Sequence, residues 1–382
     1  MKKIIFLSLL IIASILFTTQ IKRGFLSLLI LVDSVRPPEK AFMGRLYDGP
    51  LLKKVTVPSK GRSLSADLYS PTNTGKHVPL LLVHGGDPAG KDDARLVVLA
   101  KALSRAGFLV LVPDLDGMKT LRIRLSDAED ILQCFLYLNG HVQAEQRGGV
   151  MAGISYGSGP MLLAAADVRI REKVRVVATF NGYYDLRNIM LFGLTGVFEY
   201  GGHRGLMRPD TALRWMLAYR NADLLRAPND QLLLKRAIEK RNRYELAGAD
   251  ALAKTLGKDG RALYAFLLNS DPEQFPPLYE NLPLRIREAA YQLSPARAIK
   301  FIPAYFIIAH ATDDYSSPYT ESSRLADAVG DPSRAHLALL PQFLQGETLE
   351  PSARAWFNRY MVGGWRMFSA LYDLLEKSDQ QR

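Results

Sequence analysis

The stretch that most constrains this chain is Gly153-Ile154-Ser155-Tyr156-Gly157, which follows the apolar residues Val150-Met151-Ala152. A buried strand that turns abruptly into a helix through the pattern G-x-S-x-G holds its serine on a strained tip. Both glycines are needed there because a Cβ atom would collide with neighbouring atoms. The pattern therefore predicts a strand, a sharp turn and a helix, with Ser155 as the candidate nucleophile.

Apolar strands and helical segments alternate around this motif. Two runs are apolar throughout, as strands buried on both faces should be, namely Val78–Val83 and Phe108–Pro113, and a third run, Val174–Phe180, is mostly apolar. Residues 53–57 and 63–69 alternate like two antiparallel strands at the sheet edge. The alternation predicts an α/β protein with a mostly parallel central sheet, flanked by helices on both faces.

The alternation stops after Asp185 and resumes at the apolar run 301–309. Helix-like segments broken by prolines lie between, and they predict a helical cap inserted after the sixth strand. Its aromatic residues either line an apolar substrate cleft or pack the core of the insertion itself: Trp215, Tyr219, Phe266, Phe275 and Tyr279. The predicted division of the chain is an amino-terminal anchor (1–36), a first part of the core (50–185), the cap (186–296) and a second part of the core (297–378).

The amino terminus carries Lys2 and Lys3, an apolar segment from residue 4 to 19, the pair Lys22-Arg23 and a second apolar run, 25–32. No small-x-small cleavage pattern follows the first segment, so we expect a retained membrane helix in contact with lipid. The first segment is shorter than a bilayer requires, so the helix would extend into the second run, with the basic pair snorkelling. The alternative is a buried helix of a soluble protein.

The orientation of such an anchor depends on its basic flanks. Lys2 and Lys3 favour a cytoplasmic amino end at a bacterial inner membrane, with the catalytic body extracytoplasmic. Lys22 and Arg23 favour the opposite arrangement. The excess of 49 basic over 38 acidic residues gives a net charge of +11, but no basic stripe is interleaved with aromatics. The charge thus favours an anionic membrane surface over nucleic acid as a partner.

Cysteine and histidine usage bears on metal sites and cofactors. The single cysteine, Cys134, excludes an intramolecular disulfide and a cysteine-rich metal site, and the six histidines are dispersed. No phosphate-binding loop or dinucleotide fingerprint is present. We therefore predict no metal and no cofactor.

Two helices near the core carry local signals. Ser126-Asp127-Ala128-Glu129 predicts a capping box at the start of the helix that holds Cys134. A closing helix is predicted from Pro351 to about Lys377. It has an apolar stripe that we expect to pack against the sheet: Phe357, Met361, Trp365, Phe368 and Tyr372.

Taken together, these features resemble the α/β-hydrolase superfamily, in particular the dienelactone-hydrolase-like and prolyl-oligopeptidase-like serine hydrolases, over roughly residues 50 to 378. The resemblance implies the α/β-hydrolase fold, with Ser155 in the nucleophile elbow. It also implies an oxyanion hole formed by the backbone N–H groups of Tyr156 and of Gly86 or Asp87, in the segment His84-Gly85-Gly86-Asp87.

The resemblance also selects an acid. Residues 310–318 are similar to the family segment whose aspartate orients the catalytic histidine, and the matching residue is Asp314. Asp313 and Asp185 are alternatives for this role. A different reading makes Asp314 a helix cap before Ser317-Pro318.

The histidine that the family places after its last strand is absent from residues 341–347, where Gln345 stands at about its position. His336 begins that strand, on the opposite side of the sheet from the nucleophile. His203 from the cap could serve as the base, or Glu347 could act as a weak one. Otherwise the protein keeps the fold without ordinary hydrolysis, because glutamine cannot accept the serine proton.

Two functions follow from these residues. The first is a membrane-anchored serine hydrolase that acts on a small-molecule ester, lactone or amide through Ser155. The second is a catalytically weakened protein of the same fold that binds a ligand or partner in the same cleft.

Overall fold

The structure is a computed structural model that describes residues 2–36, 40–341 and 357–379, with only the backbone described for residues 2–17, 35 and 357–359. Its strands are β1 Leu51–Ser59, β2 Arg62–Ser70, β3 Val78–Val83, β4 Phe108–Pro113, β5 Gly149–Ile154, β6 Val174–Phe180, β7 Val197–Tyr200, β8 His203–Leu206, β9 Tyr305–Ala311 and β10 Ala335–Leu340.

The first eight helices are α1 Lys2–Val35, α2 Met43–Leu46, α3 Ala94–Arg105, α4 Asp116–Lys119, α5 Asp127–Asn139, α6 Ser158–Ala165, α7 Leu186–Thr195 and α8 Thr211–Arg220. They are followed by α9 Pro228–Asn242, α10 Leu246–Lys254, α11 Lys258–Leu268, α12 Phe275–Glu280, α13 Leu284–Leu293, α14 Thr320–Ala328 and α15 Gly364–Asp379. A π-helical turn, Phe357–Gly363, leads into α15.

Eight strands form the central sheet, in the order β1-β2-β4-β3-β5-β6-β9-β10. β2 is antiparallel to both of its neighbours, and the other neighbouring pairs are parallel. The predicted edge hairpin and mostly parallel sheet are confirmed. Because parallel strands end at the same edge, the loops after β3, β5, β6 and β9 meet there.

Helices cover both faces of the sheet, and the inner strand β3 is apolar and buried at every position. Leu80 and Leu82 of β3 pack in the layer of α1, α3 and α15, whereas Leu81 and Val83 pack in the layer of α5, α6 and α14. All four side chains are buried. A parallel strand between two helical layers requires this pattern, since successive side chains point to opposite faces.

The insertion between β6 and β9 contains α7 to α13 and the β7–β8 hairpin, and it has a hydrophobic core of its own. The aromatic residues noted in the sequence pack within that core. The rings of Phe266 and Phe275, for example, have centroids 5.6 Å apart, and both side chains are buried. These aromatics therefore stabilise the insertion instead of lining a cleft.

The second half of α1 packs on the domain, contrary to our prediction of a membrane helix running through residues 25–32. Leu26, Leu29 and Ile30 are buried in the layer formed with α3 and α15. Arg23 does not snorkel, because its guanidinium pairs with Glu376 at 3.8 Å and with Asp379 at 3.4 Å. The part of the chain that the structure describes contains no helix both long and apolar enough to cross a bilayer.

Two local predictions were wrong. Ser126 precedes α5, but its side chain makes no capping hydrogen bond, and Glu129 accepts hydrogen bonds from Arg169 and Gln133 instead. In the closing helix, the predicted stripe does not face the sheet: Trp365 is 66% exposed and Met361 52% exposed. The buried face of α15 carries Ala370, Leu374 and Leu375, with residues 351–356 of the predicted helix outside the described residues.

The packing of α1 gives a prediction for stability. Ile30→Ala should lower the free energy of unfolding by about 2 to 5 kcal/mol, because it removes buried methyl groups and leaves a cavity. Leu28→Ala on the same helix is the matched control, since Leu28 is 48% exposed and its loss should cost within about 0.5 kcal/mol. Urea unfolding of both variants measures the difference, and equal costs would show that this half of α1 does not belong to the core.

Candidate active site

The turn after β5 has the strained geometry expected of a nucleophile elbow. Ser155 has φ +49°, in the left-handed region that a residue with a side chain rarely adopts. A short 3-10 turn, Ser155–Gly157, connects β5 to α6. A Cβ atom added at Gly157 would collide with the carbonyl oxygen of His84, and one at Gly153 would lie 2.7 Å from the Cα atom of Ser158. Both glycines are therefore required by close backbone packing.

The loop after β3 lies directly against the elbow. A Cβ atom added at Gly85 would be 3.2 Å from the carbonyl oxygen of Ile154 and 3.3 Å from the Cβ atom of Ser155. One added at Gly86 would lie 3.8 Å from the Cβ atom of Tyr156. The two predicted halves of the oxyanion hole are thus brought together on one side of Ser155.

His84 fixes this loop in place. The Leu115 N–H donates to its Nε2 atom at 3.1 Å, so Nδ1 carries the proton and donates to the Gly85 carbonyl oxygen at 2.7 Å. Burial lowers the pKa of His84, which keeps the ring neutral. Both ring nitrogens are therefore engaged, and His84 positions the loop without offering a base to Ser155.

The structure distinguishes between the two possible donors in the loop. The Asp87 N–H donates to the Gly85 carbonyl oxygen at 3.0 Å, whereas the Gly86 N–H forms no hydrogen bond within the described residues. The Tyr156 N–H lies in the first residues of the 3-10 turn, which leave their donors unpaired inside the turn. Gly86 and Tyr156 are therefore the pair best placed to bind an oxyanion.

Asp314 lies in the loop after β9, two strands away from Ser155 along the sheet. Its carboxylate accepts hydrogen bonds from the N–H groups of Ser316 at 2.8 Å and Ser317 at 3.3 Å, as a turn-capping aspartate does. Burial, the larger effect, raises its pKa, and these hydrogen bonds partly offset that rise. Asp314 thus caps a turn and not a helix, since α14 begins only at Thr320 and has no side-chain cap. The second oxygen of Asp314 is 3.9 Å from Nε2 of His310.

The other two candidate acids are also placed in the structure. Asp185 follows β6 and caps α7, accepting hydrogen bonds from the Arg187 N–H at 2.8 Å and from the Ser294 hydroxyl at 3.2 Å. Asp313 is buried beside Asp314. The carboxylate of Asp185 is thus occupied by hydrogen bonds at the start of the insertion.

All six histidines are described, and none of them hydrogen-bonds to Ser155. His310 is buried, with Nδ1 2.7 Å from the Ser322 hydroxyl, and burial lowers its pKa to about 4. His203 is exposed at the tip of the β7–β8 hairpin, paired with Tyr200. His336 lies at the amino end of β10, and its Nδ1 is 2.6 Å from the carboxylate of Asp373. The remaining candidates for the base, Gln345 and Glu347, lie outside the described residues.

A cavity of about 550 Å³ borders Ser155, with walls formed by the sheet and by α1, α3 and α15. Gly86 and Asp87 also line it, but none of the aromatic residues of the insertion does. Sequence reasoning missed the lining residues from α1 and α15, such as Leu31 and Met367, because these helices were assigned to membrane contact and sheet packing. Across the described ranges, no group of three histidine, cysteine or acidic side chains could hold a metal ion.

The side chain of Tyr156 points away from this cavity into a buried polar cluster. Its ring stacks on Tyr183 with centroids 6.5 Å apart, and its hydroxyl has no hydrogen-bond partner in the described structure. Asp127 is also buried with one unpaired carboxylate oxygen. Burial, together with the nearby charge of Asp130, raises the pKa of Asp127 to about 7.

This cluster predicts a pH dependence of stability. The folded protein keeps a proton on Asp127 up to about pH 7, while the unfolded chain releases it near pH 4, so stability should fall as pH rises through that window. In a plot of the free energy of unfolding against pH, Asp127→Asn should remove a slope of up to about 1.4 kcal/mol per pH unit. Urea unfolding between pH 4 and 8 measures it. The control is Asp116→Asn, whose side chain is largely exposed, and identical slopes in all three proteins would contradict the prediction.

No protein-family model and no curated protein matches this sequence, but solved structures do. Acylaminoacyl peptidase of Pyrococcus horikoshii has a TM-score of 0.50 and 14% identity over 89% of this chain and 43% of its own. A puromycin-hydrolysing peptidase of Mycobacterium tuberculosis has a TM-score of 0.50 and 15% identity over 87% of this chain and 39% of its own. This chain thus matches only about two fifths of each peptidase. These likenesses show that the chain has the α/β-hydrolase fold.

Proposed function

We propose that this chain is a serine hydrolase that acts on an ester, lactone or amide through Ser155. The observation that supports this best is the strained φ of Ser155, with two unpaired backbone donors, Gly86 and Tyr156, beside it. Strain of this kind persists only where the surrounding structure enforces it, and it is concentrated at functional sites. The two peptidases with the same fold are hydrolases by name, which agrees with the proposal.

The geometry supports acyl transfer in two steps. The Ser155 Oγ atom attacks the substrate carbonyl carbon, and the negative oxygen that develops accepts hydrogen bonds from the Gly86 and Tyr156 N–H groups. One such donor is typically worth about 10² to 10³ in rate. The bond to the leaving group then breaks as the serine proton passes to that group, and water releases the acid from the acyl-serine.

A second candidate, a catalytically weakened hydrolase-fold protein that binds a ligand in the same place, is favoured by one observation. No imidazole hydrogen-bonds to Ser155, although every histidine of the chain is described. Without a base to accept the serine proton, such a site loses several orders of magnitude in rate. The two candidates therefore differ in turnover and share the binding geometry.

The missing base gives a prediction for turnover. Because Gln345 stands at about the family position of the histidine, Gln345→His should raise hydrolysis of an activated acetyl ester by about 10² to 10⁴-fold. Asp314→Ala in that background should remove most of the gain, since the new imidazole would lose its orienting carboxylate. Steady-state kinetics with p-nitrophenyl acetate measures both effects.

Three further variants test which residues act as the nucleophile and as the base. A fluorophosphonate probe should label the wild type slowly and Ser155→Ala not at all, while Ser333→Ala, a change at an exposed serine, should label like the wild type. Equal labelling of Ser155→Ala and wild type would exclude Ser155 as the nucleophile. Ordinary hydrolase rates in the wild type that are abolished by His203→Ala would show that a cap histidine completes the site.

We further propose that the first half of α1 attaches the protein to a membrane. Residues 4–19 are apolar in sequence and flanked by basic residues. Exposed apolar side chains continue from this segment along α1, the π-helical turn and α15: Ile21, Phe25, Met361 and Trp365. The two helices are in contact here, since a Cβ atom added at Gly24 would lie 3.9 Å from the ring of Phe368. Amphipathic surfaces of this kind favour the membrane interface.

Membrane attachment can be measured by carbonate extraction of cell membranes. The full-length chain should stay in the pellet, because residues 4–19 would bury their apolar side chains in lipid. A version with Ile4, Ile11 and Ile15 replaced by aspartate, which keeps the second half of α1, should move to the supernatant. Equal release of the two proteins would contradict the proposal.

A further inference from the structure

The cavity beside Ser155 lies inside the hydrophobic layer between the sheet and its covering helices. Its volume of about 550 Å³ falls within the range of small-molecule sites, roughly 300 to 1,000 Å³. Most of its lining is apolar and comes from seven helices and strands, with Leu96 of α3, Ala178 of β6 and Leu371 of α15 among the side chains. Such a space is unusual because protein interiors are normally filled to the density of organic crystals.

Small side chains on neighbouring strands open this space. Ala152 of β5 is paired directly with Ala178 of β6, and both are partly exposed although their strands are central in the sheet. Val150 and Val176, which lie one step towards the amino ends on the same face, are fully buried. The layer is therefore closed at the amino ends of the strands and open at the carboxyl ends, where Ser155 lies.

The polarity of the wall changes along the cavity. One end of the cavity is polar and open to solvent, since Asp87 and Arg95 line it and are exposed. Ser155 contributes its hydroxyl group and Gly86 its backbone at this end. Leu96 and Leu103 line it and are buried. A ligand that fits both parts has a polar or carbonyl end at Ser155 and an extended apolar tail.

We propose that this cavity holds the acyl chain of the substrate, so that the enzyme acts on esters of medium-chain or long-chain fatty acids. The inference rests on the proposed hydrolase function. In the reaction, Ser155 Oγ bonds to the carbonyl carbon of the fatty acyl group and the alcohol departs with the serine proton. Water then releases the fatty acid. The alcohol part of the ester remains on the solvent side, near Asp87 and Arg95.

The test measures binding separately from turnover. Saturated fatty acids of 4 to 16 carbons compete with a fluorescent fatty acid for Ser155→Ala protein, which binds without reacting. Affinity should rise about 3-fold to 4-fold per added methylene until the cavity is full. In parallel, kcat/KM of Gln345→His is measured with p-nitrophenyl esters of the same acids.

Variants of the wall link the chain length to this cavity. Ala178→Leu should shorten the optimal chain, because the larger side chain occupies the space beside Ser155. Met367→Ala should lengthen it, which keeps the test decisive if Ala178→Leu does not fold. Ala212→Leu is the matched control, since it makes the same change at an exposed position of α8 and should leave the optimum unchanged.

The outcomes separate this inference from the proposed function. Hydrolysis of acetyl esters at Ser155 with affinity independent of chain length would overturn the inference and leave the hydrolase proposal standing. Chain-length-dependent binding that Ala178→Leu shortens, without any hydrolysis, would show that the cavity holds a fatty acyl chain but would overturn both the hydrolase proposal and the action on esters. Unchanged optima in both wall variants would also overturn the inference.

The fatty acyl ester could be a membrane lipid or a soluble ester. Turnover measurements with the same protein distinguish these two sources. Turnover of phosphatidylcholine in vesicles, with loss of activity when residues 4–19 carry the three aspartates, supports a lipid source. Turnover confined to dissolved esters below their micelle concentration supports a soluble source. The chemistry of the cavity is the same in both cases.

Discussion

The close approach of two backbones organises the functional edge of this protein. The loop after β3 and the elbow after β5 touch at Gly157, where no Cβ atom fits, and at Gly85, where one would be tightly packed. The contact between them holds Ser155 at its unfavourable φ and leaves the N–H groups of Gly86 and Tyr156 beside it. His84 supports the contact from behind through hydrogen bonds with both ring nitrogens. The geometry of the candidate site therefore depends on backbone packing more than on any charged group.

The two faces of the sheet differ in how completely they are packed. The layer with α5, α6 and α14 includes buried aromatic and aliphatic side chains such as Phe135, Met161 and Phe306. The opposite layer combines alanines on the central strands with α1, which comes from the amino-terminal segment, and this is where the cavity lies. The protein accepts an incompletely filled core on the side that faces the nucleophile.

Much of the fold could be predicted from the sequence because its strongest signals are local. Continuous apolar runs identified the parallel strands, and the flanks of G-x-S-x-G identified the elbow that the structure contains. The position of α1 could not be predicted, because an apolar helix that packs on a protein has the same composition as one that enters lipid. The two cases are distinguished by the burial of Leu29 and Ile30 and by the partners of Arg23, on a helix more than 350 residues away in sequence.

The candidate site was less accessible to sequence reasoning. Asp314 was selected by resemblance, and its hydrogen bonds with Ser316 and Ser317 became visible only in the structure. The cavity was missed because an alanine in an apolar strand is indistinguishable in sequence from an ordinary core residue. An alanine opens space only when the residue paired with it is also small, as Ala152 and Ala178 are. The prediction that Trp365 packs against the sheet was wrong for a similar reason. Helical spacing shows that apolar side chains share one face of a helix, but not whether that face points to the sheet or to solvent.

The rigidity of α1 has a geometric consequence. Helix Lys2–Val35 is continuous, and its residues from Leu26 onward are built into the domain. It is therefore a fixed arm, unlike a flexible tether. At 1.5 Å per residue, Thr19 and Leu31, which lines the cavity, are separated by about 18 Å along the axis. A contact made by the first turns of this helix would therefore be transmitted to the wall of the cavity as a movement of the whole helix.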